Sequence, residues 1–306
     1  MKDLSIALAC SGGSDSVALA HLLKKSGIKK VTLLHFNHKL RDLFADEDEL
    51  FVKKLAKQLG FSFYSTSKDI KKLAAKHKES IEACARRERY NWFHQVCKKL
   101  KIEFLYLGHH NQDQTETLLL NFIRGSGLEG LSGMQTITKE KGLYLVRPLL
   151  GVSKEKILSF LNQNKISYRE DHTNTDITFW RNRIRHEILP KIRTINPEVE
   201  KTLAKMSALF NEELAEQTKT VQKYFEQCVL NISKNCLFFE SGKLYVLPRN
   251  YQRKVIREGI KRLKGNLENV TSLFIDNFLE NQLNAIEIKN KKIVVSRAPQ
   301  PPKGGV

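Results

Sequence analysis

Cysteine is scarce in this 306-residue sequence, and long apolar runs are missing. The five cysteines lie far apart with no CxxC pair, which argues against a disulfide framework, a structural zinc site or an iron–sulfur cluster. No run of about 18 uncharged apolar residues occurs, so we expect no transmembrane helix. The start of the chain has no signal-peptide pattern. Together these absences predict a cytoplasmic protein that is not bound to a membrane.

Acidic residues are outnumbered as well. Lys and Arg total 52 against 33 Asp and Glu, which gives a formal net charge of +19. A field of this sign favours polyanionic partners, of which nucleic acid is the commonest. The alternative interpretation is a lysine-rich proteome that places lysine on every solvated face.

The first half of the chain alternates strand and helix patterns. Apolar runs predict strands at residues 4–9, 31–36, 61–66, 103–108 and 143–150. Helical patterns occur at 14–25, 46–59, 69–100 and 115–124. This alternation predicts an α/β fold with a doubly wound, Rossmann-like parallel sheet, whose ligands bind beyond the carboxyl ends of the strands.

After about residue 152 the pattern changes. Ser153 opens a helix, a long helix follows at 197–227, and the short runs LFFE, KLYVLP and KKIVVS read as strands around a helix at 250–262. We expect a catalytic domain at 1–195, a helical linker at 196–215 and a small α+β domain at 216–306. The basic segment YQRKVIREGIKRLK in this last domain favours nucleic-acid binding.

A glycine- and serine-rich loop, CSGGSDS at residues 10–16, follows the first predicted strand. Its glycines let backbone N–H groups approach an anion, its serines add donors, and the following helix adds its dipole. No Walker motif GxxxxGK[ST] occurs in the chain. The loop resembles the PP-loop, SGGxDS, of enzymes that cleave ATP between its α- and β-phosphates. The alternative is an ordinary Gly–Ser turn.

The PP-loop resemblance implies that this loop holds the leaving pyrophosphate. Asp15 would orient the loop or reach the metal ion. His35, in HFNH at the end of the second strand, would line the adenine pocket or be an ordinary buried histidine. The residues assigned to nucleotide binding are Ser11, Gly12, Gly13, Ser14, Asp15, Ser16 and His35.

A second glycine-rich string, RGSGLEGL at 124–131, formally matches GxGxxG. It follows a predicted helix instead of a strand, so it fails the context that a dinucleotide-binding fingerprint requires. We interpret it as a loop that shapes the rim of the active site.

Several strings between residues 4 and 200 together resemble the tRNA(Ile)-lysidine synthetase family. They are HFNHKLR (35–41), EACARRERY (82–90), GHHNQDQTETLLLNFIRGSGLEGLSGM (108–134), RPLL (147–150) and FWRNRIRHEILP (179–190). The resemblance implies ligation of L-lysine to the 2-position of the wobble cytidine in a tRNA(Ile) with a CAU anticodon. An adenylated cytidine would form first, and lysine would then displace AMP. ATP, Mg²⁺, L-lysine and this tRNA are the expected ligands, and a homodimer stays open.

Charged side chains are expected where phosphate charge develops. Arg86 and Arg89 share one helix face, and the family resemblance raises Arg86 and Arg124 above surface salt-bridge residues. Asp113 would bind Mg²⁺, accept the cytidine amino proton or hold the lysine ammonium, or merely favour a helix N-terminus. The family usually has two adjacent acids here, and Gln112 stands in the first place, so we assign no metal ligand. The expected catalytic residues are Asp113, Arg86, Arg124 and Asp15.

Other polar strings have open roles. His109 and His110 follow a strand end, but no third ligand has zinc spacing, so we interpret them as structural or nucleotide-contacting. The strings HTNTD (172–176) and RNRIR (181–185) would cover the site, and the RNRIR arginines would meet tRNA phosphates or form a solvated basic face. The acids that bind the lysine substrate are not identified.

Three other functions fit parts of the sequence. A tRNA thiolase with the same PP-loop would need a catalytic cysteine pair or a cluster, which isolated cysteines do not provide. An amide-forming synthetase for a small molecule would not need the +19 charge. A non-catalytic RNA-binding protein would not need an intact SGGSDS together with Asp113.

Overall fold

The computed structural model describes residues 4–39, 42–169, 180–233, 235–265, 267, 270–289 and 292–296. The chain divides into two compact units, residues 1–210 and 211–306. Each unit has its own sheet and its own buried core.

A six-stranded sheet forms the centre of the first unit. Its strands are β1 (Ser5–Ala9), β2 (Lys30–Asn37), β3 (Ser62–Ser67), β4 (Phe104–Tyr106), β5 (Ile137–Glu140) and β6 (Leu143–Val146). The order is β3-β2-β1-β4-β6-β5, and neighbouring strands are parallel except β5, which runs antiparallel to β6. The predicted doubly wound sheet is confirmed. The strand order reverses between β1 and β4, and ligands bind at such a switch point.

Helices lie between and after these strands along the chain. They are α1 (Ser14–Lys25), α2 (Asp42–Leu59), α3 (Ile70–His77), α4 (Ile81–Lys99), α5 (Asn111–Ile123), α6 (Leu128–Leu131), α7 (Lys154–Gln163), α8 (Trp180–Arg183), α9 (Leu189–Ile195) and α10 (Val199–Cys228), with a π-helical turn at Ile184–Ile188. Ile6 and Leu8 of β1 pack in a cluster with side chains of α1, α2 and α7. Ala7 packs on the opposite face with side chains of α4. Burial on both faces explains why the β1 sequence is apolar without alternation.

The single helix predicted at 69–100 is in fact two helices. Lys78 adopts a left-handed φ of +52° and ends α3. The Ser80 hydroxyl then accepts a hydrogen bond from the Ala83 N–H at 3.2 Å and caps α4. The strand predicted at 143–150 ends at Val146, and the edge strand β5 was not predicted.

The second unit has a four-stranded antiparallel sheet in the order β10-β9-β8-β7. Its strands are β7 (Val229–Ile232), β8 (Cys236–Phe239), β9 (Ala285–Lys289) and β10 (Lys292–Ser296), and its helices include α11 (Ser241–Leu244), α12 (Arg249–Lys264) and α13 (Ser272–Glu280). The expected α+β class of this part is confirmed. Strands β7 and β9 and helix α13 were not predicted.

The strand predicted for KLYVLP is wrong. The carbonyls of Tyr245 and Leu247 accept hydrogen bonds from the Gln252 side chain at 3.1 and 2.8 Å. The Tyr245 hydroxyl donates to the Leu283 carbonyl at 2.7 Å. These contacts hold the segment between α11 and α12 in a turn, where its backbone does not pair with a strand.

The interval 196–215, predicted as a linker, lies mostly within the 30-residue helix α10. The compact units divide between Phe210 and Asn211. The three-part division of the chain stays a prediction.

No helix in the described ranges is long and apolar enough to cross a membrane.

Candidate active site

The PP-loop connects β1 to α1 at the switch point of the sheet. Gly12 has a φ of +96°, and a Cβ there would lie 3.4 Å from the Phe51 side chain. The Ser16 hydroxyl donates to the Gly13 carbonyl at 3.0 Å, and the Gly13 N–H donates to the Ser11 hydroxyl at 3.3 Å. Gly13 is the N-cap of α1, and no side chain of the described residues caps the helix there. The N–H groups of the first turn are therefore available to an anion.

His35 lies behind the loop. It is buried, and its Nδ1 lies 2.9 Å from the Cys10 carbonyl oxygen, to which it donates. Burial lowers the pKa of His35, which keeps the ring neutral. The ring thus holds the PP-loop against β2, and a contact with adenine stays a prediction.

The segment after β4 passes against the start of α1. A Cβ on Gly108 would lie 3.1 Å from the Asp15 carbonyl carbon and from the Ser16 nitrogen, so any side chain there would push the backbone of α1 away by a few tenths of an ångström. The His110 Nε2 atom lies 3.8 Å from Asp15 Oδ2 and 3.6 Å from Asp113 Oδ2. The structure therefore brings the two predicted carboxylates, Asp15 and Asp113, to either side of one histidine.

Asp113 also caps α5. Its Oδ2 accepts a hydrogen bond from the His110 N–H at 3.0 Å, while His110 Nδ1 accepts one from the Gln112 N–H at 3.3 Å. Burial disfavours the charged carboxylate, but the two histidines when protonated, an arginine and the His110 N–H bond outweigh burial, so the pKa of Asp113 lies below its usual value. These groups are His110, His109 and Arg181. Asp113 is therefore a helix cap, and its contact with Mg²⁺, cytidine or lysine stays a prediction.

Glu116, one turn further along α5, is completely buried. Its Oε1 accepts from Arg185 Nε at 2.6 Å, and its Oε2 accepts from Arg185 Nη2 at 3.0 Å and from Arg181 Nε at 3.1 Å. The third arginine of RNRIR, Arg183, pairs with Glu187 at the surface. In this structure Arg181 and Arg185 thus bind an internal carboxylate, and their contact with tRNA stays a prediction. The string HTNTD lies outside the described residues.

Three arginines gather around Tyr90 of α4, and we call them the arginine cluster: Arg86, Arg89 and Arg147. The guanidinium carbons of Arg86 and Arg89 lie 4.8 and 5.7 Å from the Tyr90 ring centroid. Arg147 is buried, and its Nε has no hydrogen-bond partner. Burial and the charge of Arg86 lower the pKa of both Arg89 and Arg147. Within the described ranges no carboxylate forms an ion pair with these three, so the cluster is suited to an anion.

Two histidines beside the arginine cluster are neutral. Burial, followed by the charge of Arg89, lowers the pKa of His38 to about 4. Burial also lowers the pKa of His109 to about 4, with Asp113 opposing and Arg147 assisting the shift. The Nδ1 atoms of both rings are buried without a hydrogen-bond partner.

Arg124 is separated from these groups. It is an exposed residue at the C-cap of α5, and the rise of the helix places it about 16 Å along the axis from Asp113. Gly125 follows with a φ of +69°, and the turn leads to α6, where Asn121 Nδ2 donates to the Gly130 carbonyl at 2.8 Å. A catalytic role of Arg124 stays a prediction.

Two basic residues at the PP-loop were not anticipated from the sequence. Lys154, the first residue of α7, places its Nζ 2.7 Å from Ser14 Oγ and 2.6 Å from Asp15 Oδ1. The Arg169 N–H donates to the Gly12 carbonyl at 2.9 Å. The sequence signal that could have pointed to Lys154 is its place in the first turn of a helix, where the helix dipole disfavours a cation unless an anion lies nearby.

A cavity of about 260 Å³ is lined by residues of α5, α7 and the segment from α9 to α10. The lining residues are Asn111, Gln112, Lys154, Glu155, Arg193, Pro197, Glu198, Glu200 and Lys201, and none of them belongs to the PP-loop. The described residues contain no group of three His, Cys, Asp or Glu side chains that could hold a metal ion. Mg²⁺ commonly uses one or two carboxylates together with substrate phosphates, and Asp15 and Asp113 fit that requirement.

Comparison with known proteins agrees with this geometry. The model of the PP-loop domain family matches residues 1–192. The chain is 34% identical over 273 residues to a tRNA(Ile)-lysidine synthase of Geobacter sulfurreducens, covering 89% of this chain and 58% of that protein. It is 39% identical over 253 residues to the tRNA(Ile)-lysidine synthase of Persephonella marina, covering 80% of this chain and 54% of that protein. The chain therefore spans a little over half the length of these relatives.

Among solved structures, the chain is similar to the U34-tRNA thiolase NcsA from Methanococcus maripaludis with its 4Fe–4S cluster. The TM-score is 0.53 at 17% identity, covering 69% of this chain and 72% of that one. At this identity the likeness concerns the fold alone. The family model matches most of the chain, and the structure has the loop at the expected switch point of the sheet. The chain therefore belongs to the PP-loop domain family.

Proposed function

We propose that the protein uses ATP to ligate L-lysine to the 2-position of the wobble cytidine of a tRNA(Ile) with a CAU anticodon, in the cytoplasm. The observation that carries the proposal is the likeness to curated tRNA(Ile)-lysidine synthases over 89% of the chain. The uncapped helix N-terminus at the PP-loop supports ATP as the phosphate donor. The net charge of +19 supports a polyanionic substrate.

In the first step the 2-carbonyl oxygen of cytidine attacks the α-phosphorus of ATP. A new oxygen–phosphorus bond forms, the bond to the bridging α,β-oxygen breaks, and pyrophosphate leaves. The N–H groups in the first turn of α1 and the hydroxyls of Ser11, Ser14 and Ser16 would bind the pyrophosphate. Mg²⁺, held by Asp15 and Asp113, would neutralise phosphate charge.

The arginine cluster would act where the RNA meets the nucleotide. Among the described residues no carboxylate forms an ion pair with Arg86, Arg89 or Arg147, although the charge of Glu140 acts on Arg147. We assign Arg86 to stabilise negative charge that develops on the phosphates. Arg124 would contact the RNA from the rim of the site.

In the second step the lysine amine attacks the adenylated carbon, and AMP leaves. The incoming lysine binds as an ammonium, which a nearby carboxylate would hold, and it attacks as the free amine after one proton has left to solvent. Glu116 is already bound by two arginines, so it is not available to the ammonium. Asp113, which is ionised, is the better candidate for this contact. The mechanism needs only one copy of the chain, and a homodimer stays a prediction.

The test is lysine incorporation with purified protein. ATP, Mg²⁺ and labelled lysine are mixed with the CAU tRNA(Ile), or with the methionine tRNA, which has the same anticodon, as a control. We expect label in the first tRNA alone, together with AMP. AMP release without label transfer would indicate another nucleophile and another reaction of the PP-loop family. The absence of both AMP and labelled tRNA would refute the proposal.

A matched set of variants separates chemistry from binding. Ser11→Ala and Asp15→Ala should abolish AMP release while tRNA affinity persists, because both residues lie in the PP-loop. Ser26→Ala, at the other end of α1, should leave the reaction unchanged. Parallel loss of tRNA affinity in the loop variants would contradict the assignment of the loop to ATP.

A further inference from the structure

The PP-loop has no cation of its own. The residues CSGGSDS contain one acid, Asp15, and neither lysine nor arginine. A loop that holds pyrophosphate through N–H and hydroxyl groups alone leaves most of its charge without a protein counter-charge. A cation from a second element of the fold would supply protein counter-charge in addition to Mg²⁺.

Helix α7 brings such a cation. Ser153 caps this helix, and Lys154 extends from its first turn to the start of α1. The Lys154 ammonium lies within hydrogen-bond distance of both Ser14 and Asp15, at 2.7 and 2.6 Å. Lys154 also lines the cavity of about 260 Å³. Its side chain is 29% exposed, so solvent reaches a lysine that contacts the phosphate loop.

Other nearby basic residues are engaged elsewhere. Arg169 touches the loop only through its backbone, while its guanidinium binds Asp48 at 2.9 Å and Glu47 at 2.7 Å. At the cavity, Arg193 is bound to Glu200. Lys154 differs because its partner, Asp15, is itself part of the loop that would receive the ligand.

We infer that Lys154 is a phosphate-binding residue, which Asp15 holds in place until the pyrophosphate part of ATP takes over its ammonium. The pair is about 70% buried, and an ion pair with this much solvent contact contributes little to folding stability. Phosphate oxygens carry more charge than one carboxylate and accept the same hydrogen bond. Transfer of the ammonium also frees Asp15 for Mg²⁺. No bond is made or broken in this exchange.

Inorganic pyrophosphate is the probe, titrated by calorimetry into the full chain at fixed ionic strength without RNA. Lys154→Met should weaken binding by about 10- to 100-fold, because one charge-assisted hydrogen bond is lost. Lys154→Arg should restore most of the affinity. Lys156→Met, an exposed position two residues along α7, is the matched control and should bind like the parent. Binding of the Lys154→Met protein within twofold of the parent would overturn the inference.

Asp15→Asn gives a second, opposite test. Without Mg²⁺, removal of the competing carboxylate should tighten pyrophosphate binding, and the added Lys154→Met change should cancel that gain. If the gain persists in the double variant, it arises from the loss of Asp15 charge alone, and Lys154 is not the group that Asp15 restrains.

The steady-state reaction supplies a readout that a structural role would not move. In Lys154→Met the KM for ATP should rise and AMP release should slow, while the thermal midpoint and tRNA affinity stay at parent values. This inference rests on the proposed function in taking pyrophosphate as the ligand. Pyrophosphate binding is measured without tRNA or lysine, so a failure of lysine transfer and a failure of this inference would be distinguished.

Discussion

The buried carboxylate of Glu116 should be the strongest single anchor of the segment that contains RNRIR. The perturbation is Glu116→Gln, which keeps the size of the side chain and removes its charge. Both carboxylate oxygens of Glu116 are engaged, through three hydrogen bonds from Arg181 and Arg185. Loss of the charge removes the carboxylate that Arg181 contacts and leaves Arg185 with only its longer ion pair to Asp113, at 3.8 Å.

The magnitude follows from burial. Removing one partner of a buried ion pair costs about 3–5 kcal/mol. Water reaches the two arginines, whose side chains are 29% and 24% exposed, so the lower end of that range applies. A local opening free energy that falls by about 3 kcal/mol corresponds to a roughly 100-fold loss of amide protection.

Hydrogen exchange followed by mass spectrometry over residues 180–195 is the assay. The matched control is Glu187→Gln, which removes a glutamate–arginine pair from the surface of the same segment, with side chains 54% and 41% exposed. That change should alter protection by less than about threefold, since exposed pairs contribute about 0–1 kcal/mol. Equal effects of the two substitutions would refute the reasoning that burial gives the Glu116 contact its strength.

Three further predictions concern other parts of the chain. His38→Gln should flatten the pH dependence of the unfolding free energy between about pH 4 and 6.5. The pKa of His38 is lowered to about 4 in the folded protein, so in this window the unfolded chain binds a proton that the folded chain does not. Stability of the parent is therefore lost as pH falls, by up to about 1.4 kcal/mol per pH unit. Urea titrations at several pH values measure the slope, and an unchanged slope would count against a neutral buried His38. Brief labelling with a disulfide reagent should modify Cys236 first, because the other four cysteines are buried and burial raises the pKa of Cys97 to about 12. Mass spectrometry identifies the labelled cysteine, and faster labelling of Cys97 would contradict this prediction. A double variant on one face of α12, Arg257→Gln with Lys261→Gln, should reduce the magnitude of the slope of log K for tRNA binding against log salt concentration by about 1 to 2. The control changes two exposed lysines of α2, Lys53→Gln with Lys57→Gln, and should leave the slope unchanged. Equal slopes in both variants would argue against α12 as the RNA contact.

Much of the first unit was predictable because its signals are local. An apolar run without alternation indicates a strand buried on both faces, and β1 is such a strand. A loop of glycine and serine between that strand and a helix indicates an anion site, because backbone geometry and hydroxyl donors are properties of neighbouring residues. The alternation of strands and helices then predicts a parallel sheet, and a parallel sheet predicts that the loop lies at the edge formed by the carboxyl ends of its strands.

Where local signals conflicted, the prediction failed. KLYVLP has the residues of a strand, yet Gln252 and Leu283 bind its backbone and its tyrosine from outside, which nothing within the six residues reveals. The helix predicted at 69–100 broke at Lys78, whose left-handed φ is unusual for lysine.

Which charges meet was decided only by tertiary structure. The sequence by itself indicated that a glycine- and serine-rich loop suited to an anion follows the first strand and that Asp113 lies near the N-terminus of a helix. It could not show that Lys154 reaches Asp15 from about 140 residues away, that Glu116 is neutralised by Arg181 and Arg185, or that Arg86, Arg89 and Arg147 gather around one tyrosine. The physical reason is that a charged side chain has no periodic signature, and its partner is set by how separate elements pack against the sheet.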